Sequence, residues 1–134
     1  MWEAYEMGNE DFLWAGVTFF GGISREQDAP CGAVSGGAVS LGLKYRCSMT
    51  DKEKAKQARN DSRRDAGQLV KGFKKQFGGI ACGPLLGIDF SEPGGYQKFQ
   101  ESGIWKEKCY KYIDYVIEKL YEIEDGNGEK ETAQ

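Results

Sequence analysis

Residues 105–123, Trp105-Lys106-Glu107-Lys108-Cys109-Tyr110-Lys111-Tyr112-Ile113-Asp114-Tyr115-Val116-Ile117-Glu118-Lys119-Leu120-Tyr121-Glu122-Ile123, decide the fold class. Trp105, Cys109, Tyr112, Ile113, Val116, Leu120 and Ile123 recur at three- and four-residue steps, the spacing of one face of an α-helix. The spacing predicts a helix over 105–123 with Cys109 on its inner stripe. The three tyrosines at 110, 112 and 115 cannot all face inward. Upstream, Thr50-Asp51-Lys52-Glu53 has the form of a capping box. It opens a predicted helix over 51–77 whose inner face is Ala55, Ala58, Ala66, Leu69, Val70, Phe73 and Phe77, ended by Gly78-Gly79.

Earlier still, residues 31–43 are nearly free of charge and dominated by small side chains. Glycine and serine make this a poor isolated helix, so a helix here must be buried and held by packing. Gly32, Gly36 and Ser40 share one face, where another helix or a cofactor can approach closely. Asn9 is a candidate cap for a helix over 10–20, with Phe12, Leu13, Val17 and Phe20 as its apolar stripe. Residues 2–7 read as the end of a helix. Residues 21–30 and 87–103 read as loops, and 80–86 as a short turn or helix around Cys82. No repeat and no strand alternation is visible. The expectation is an all-α protein, a compact bundle of about four to six helices. It forms a single helical domain over 1–123, followed by a disordered acidic tail over 124–134.

The composition narrows the chemistry. The chain of 134 residues is 40% hydrophobic and carries a net charge of −3. It contains no histidine, which removes a His base, a Ser-His-Asp triad and any His-ligated zinc or haem site. No apolar run approaches the roughly 18 residues that a membrane-spanning helix needs. The acidic start lacks the basic region of a signal peptide, so a cytoplasmic location is expected. The glycine pairs match no phosphate-binding loop. The helix over 51–77 carries nine cations against four acids, a net of +5. Interspersed acids mark this as a solvated face, without the aromatic interleaving that nucleic-acid binding uses. No nucleic acid is expected as a partner.

Cysteine is left as the soft, redox-active side chain. Cys31, Cys47, Cys82 and Cys109 include no C-x-x-C pair, so zinc-ribbon and bacterial ferredoxin spacings are absent. One reading is four buried cysteines serving as small hydrophobes. Local context favours another. Cys31 begins a predicted helix, where free N–H groups and the helix dipole lower a thiol pKa. Cys82 has small flanks before Gly83-Pro84, and Cys109 projects inward. These three can converge, whereas Cys47 lies in a linker and reads as incidental. Phe19, Phe20 and Trp14 are either core or the wall of a cofactor pocket.

The ordered segments Phe19-Phe20-Gly21-Gly22-Ile23, Cys31-Gly32-Ala33-Val34-Ser35-Gly36 and Leu41-Gly42-Leu43 resemble the C_GCAxxG_C_C family. Phe73 to Gly87 is similar to that family's F-x-x-x-F-G-x-x-x-C-x-x-L-L-G segment, and Cys109 to its last cysteine. The resemblance spans roughly residues 12–123. It implies a redox-active protein similar to the helical, non-haem part of split-Soret-type cytochromes. It further implies an iron–sulfur cluster as one cofactor, with Cys31, Cys82 and Cys109 as metal ligands. The family's first cysteine belongs before the Phe-Gly-Gly segment, and no cysteine precedes Cys31 here. Either the chain begins after that position or the cysteine has been lost. A fourth ligand would then be Cys47, a cysteine across a homodimer interface, or a non-cysteine group. The functional expectation is electron transfer or thiol redox chemistry with an unidentified redox partner. Cys31 is its reactive, catalytic member, and metal occupancy stays open. The competing expectation is a non-catalytic helical interaction module with structural cysteines.

Overall fold

The computed structural model describes Glu6 and residues 8–131, with side chains as far as Gly126. The helix end expected at residues 2–7 falls almost wholly outside the described residues. Regular structure among the described residues is helical, in the order α1 (Asp11–Trp14), α2 (Gly32–Lys44), α3 (Lys52–Phe77), α4 (Cys82–Leu86), α5 (Gly95–Ser102) and α6 (Tyr110–Glu131). A 3-10 turn, Val17–Phe19, follows α1, and a π-helical turn, Trp105–Cys109, leads into α6. The all-α expectation holds.

Helices α2, α3 and α6 pack on one another through small residues. A Cβ on Gly37 would stand 2.7 Å from Val116 Cγ1 and 2.8 Å from Leu69 Cδ2, so this glycine is where the three helices meet. The main core draws Val34 and Leu41 from α2, Leu69 and Phe73 from α3, Leu85 from α4, and Tyr112, Val116, Leu120 and Ile123 from α6. The rings of Phe73, Phe77, Tyr112 and Tyr115 contact one another, mostly edge to face. The capping-box expectation needs correction by one residue. Asp51 is the cap of α3, and its Oδ1 accepts from Lys54 N–H at 3.1 Å. The α3 inner face holds an unexpected acid. Asp65 is 1% exposed, accepts from Tyr45 Oη–H at 2.5 Å and pairs with Arg64 Nε at 2.8 Å. That network ties the end of α2 to the middle of α3.

A second, smaller core joins Cys82, Leu86 and Phe99, with Phe90, Tyr96, Trp105 and Cys109 packed against it. It rests on α5, in a segment expected to be loop. Gly94 and Gly103 at its two ends both have positive φ, 74° and 69°, which delimits an eight-residue helix inside a glycine-rich stretch. The helix expected over 10–20 breaks after Trp14, and Leu13, Val17 and Phe20 of its supposed inner stripe are about half exposed. Ile113 also faces outward. Helix α6 does not end at Ile123 but continues to Glu131.

Candidate functional site

Two backbone segments set the first two cysteines. Pro30 and Ala81 form an isolated antiparallel bridge, with Cys31 N–H donating to Ile80 O at 2.6 Å and Cys82 N–H to Ala29 O at 3.1 Å. Successive side chains alternate across an extended segment. Cys31 and Cys82, each one residue beyond the bridge, therefore leave it on the same side. The loop ahead of Cys31 is pinned to this region. Gly83 N–H donates to Gln27 O at 2.9 Å, while the Gln27 amide bonds Ile88 O at 2.8 Å and Phe90 N–H at 2.7 Å.

Cys109 arrives from the π-helical turn. Such turns put an extra residue into a helix and recur at functional sites. Here the turn precedes α6 and is anchored by Lys108, whose Nζ donates to Leu85 O at 3.0 Å and Leu86 O at 2.9 Å. Tyr112 Oη–H adds a bond to Leu85 O at 3.1 Å. The carbonyl end of α4 is thus held against the residues on either side of Cys109.

Cys31, Cys82 and Cys109 all line one cavity of about 660 Å³. Its walls include Phe19, Phe20, Phe90, Tyr96, Phe99 and Trp105, and none of its lining side chains is charged. Of the two readings left open for Phe19 and Phe20, the structure places both on the cavity wall. Trp14 is not part of the lining and is 70% exposed. Sequence spacing missed Phe90, Tyr96 and Phe99 because they belong to the segment read as loop. The signal available was Pro93-Gly94 and Gly103 bracketing Tyr96 and Phe99 at a helical step. Cys47 is exposed and opens onto a separate cavity of about 400 Å³ beside Met49, Arg59 and Arg63.

The electrostatics correct one expectation. Burial raises the Cys31 pKa, and the backbone amides of Ala33 and Val34 only partly oppose it. Helix-start position therefore does not produce a low-pKa thiol, because desolvation of the charged form outweighs the amides. Cys82 is pushed up to about 11 by burial, then by the Cys31 and Cys109 charges. Cys109 is raised by burial and by Cys31, against a lowering from Lys108. The three groups feel one another, so ionising one disfavours ionising the next.

The cavity brings together three thiols of this chain, one fewer than a four-thiolate cluster uses. Among the described residues no group of three or more Cys, Asp, Glu or His side chains is arranged around a common metal position. The cavity offers thiols but no carboxylate, and Cys47 faces another cavity. What the arrangement supplies is protonated thiols on an uncharged, aromatic-walled surface.

The family model described as "Putative redox-active protein (C_GCAxxG_C_C)" matches residues 1–123. The chain belongs to this family. No curated protein and no solved structure matches it.

Proposed function

We propose, with membership of this redox-active family as the premise, that the chain is a thiol redox protein in which Cys31 and Cys82 cycle between two thiols and a disulfide. The observation that carries the reading is the convergence of Cys31, Cys82 and Cys109 on one uncharged cavity while Cys47 stands elsewhere. Cys31 is the reactive member. Of the three, its sulfur is the one toward which backbone amides act, and they favour its ionised form against the effect of burial. Its thiolate attacks an oxidised sulfur or passes electrons to an acceptor, and Cys82 completes the disulfide. The balance is two S–H bonds broken and one S–S bond formed. Two electrons and two protons leave to the acceptor. Cys109, on the third side of the cavity, is the alternative resolving thiol.

The bridge at Pro30 and Ala81 puts Cys31 and Cys82 in a diagonal relation, where Cβ atoms of paired strands stand about 7 Å apart or somewhat less. A disulfide needs a Cβ separation of about 3.5–4.5 Å, so pairing requires a small local movement. A redox titration in oxidised and reduced dithiothreitol, followed by tryptophan fluorescence, tests the reading. A single reversible two-electron transition is expected, lost in Cys31→Ser and retained in Cys47→Ser. No transition, or equal loss in both variants, contradicts it.

A further inference from the structure

We propose that the cavity beside these thiols binds a neutral quinone, which serves as their electron acceptor; the proposal rests on the thiol reading above and adds its substrate class. A disulfide alone needs no such space. The cavity holds about 660 Å³, within the range of small-molecule sites. Its walls are aromatic, with Phe90, Phe99 and Trp105 among them, and they favour a flat ring by offset or edge-to-face contact. No charged side chain lines it, which disfavours acceptors bearing phosphate or carboxylate groups inside the cavity. Val17 and Phe20 are 58% and 49% exposed and line the cavity, so it is open to an entering molecule. Gln100, an exposed amide on the same lining, can donate a hydrogen bond to a ring carbonyl.

The chemistry of the thiols selects the same class. Cys82 is buried and Cys31 is half-buried, and burial favours the protonated form of both thiols, so the fitting acceptor takes protons together with electrons. In the step, the Cys31 and Cys82 S–H bonds break and their sulfurs join. The quinone gains two electrons and two protons and leaves as the hydroquinone.

Duroquinone is the probe, because ring methylation blocks thiol addition. The reduced full-length chain is titrated without oxygen, with binding read by equilibrium dialysis and product by hydroquinone yield. Saturable binding and one hydroquinone per chain are expected. Cys31→Ser should bind duroquinone but form no hydroquinone. Val17→Phe, which crowds the opening, should weaken binding at least tenfold; separately, oxidised glutathione should oxidise the thiols of the unsubstituted chain reversibly. Phe20→Ala, which removes a wall, should weaken binding in the same assay. Non-saturable uptake, or uptake unchanged in both wall variants, overturns the quinone proposal. If oxidised glutathione succeeds in that case, the thiol reading survives without it. If oxidised glutathione also fails, both fall together.

Discussion

At Cys31 the helix start and the surrounding core act in opposite directions, and the core prevails. The position was legible in the sequence, because Pro30 ahead of a small-residue run marks a helix start. The direction of the pKa shift was not, because Cys31 is buried by packing against the main core, most of whose residues are remote in sequence. Cys82 carries the largest testable consequence. Its thiol is pushed up to about 11 from an ordinary 9.0, so the folded chain holds a proton that the unfolded chain releases. A raised folded pKa gives stability that is present in full below pH 9.0 and is lost as pH rises through about 11. Chemical unfolding across that window should therefore show falling stability, with a shallower fall in Cys82→Ala. The thiolate absorbance of Cys47→Ser, titrated in the same window, should develop late. An equally steep fall in the alanine variant contradicts the assignment.

Two glycines on α2 separate packing from propensity at the scale of the element. Gly36 has nothing within 4 Å of a built Cβ, whereas at Gly37 the Val116 and Leu69 side chains stand under 3 Å away. Gly36→Ala should stabilise the protein by about 0.5–1 kcal/mol through helix propensity. Gly37→Ala should destabilise it by about 1–3 kcal/mol through overpacking. Thermal unfolding of the two variants checks the signs, and a stabilised Gly37→Ala would contradict the packing of α2 on α3 and α6. Helices with a wide apolar stripe or a strong cap, α3 and α6, were readable from spacing. Helix α5 was not, because its eight residues are enclosed by glycines that also mark turns. The π-helical turn at Trp105–Cys109 leaves the apolar spacing intact and so carried no distinct signal. Leu13, Val17 and Phe20 misled in the other direction: their spacing is helical, but the chain turns after Trp14 and leaves them at the surface and around the cavity opening.

The whole molecule is a three-helix packing of α2, α3 and α6 with a smaller aromatic core beside it. The thiols lie at the seam. Cys31 packs against the main core, and Cys82 and Cys109 belong with the smaller one. This placement explains how residues distant in sequence come to share one environment, and why local context and the family resemblance named the three cysteines without naming their surroundings. It also explains the separation of Cys47, which follows α2 at the far end of that helix from Cys31. The most direct test of a Cys31–Cys82 redox pair is a disulfide map by peptide mass spectrometry after equilibration with oxidised glutathione. The account predicts a Cys31–Cys82 link, with Cys109 free or exchanging into it, fully reversed by dithiothreitol. Links confined to Cys47, or three thiols that remain unpaired and alkylate independently, would contradict it.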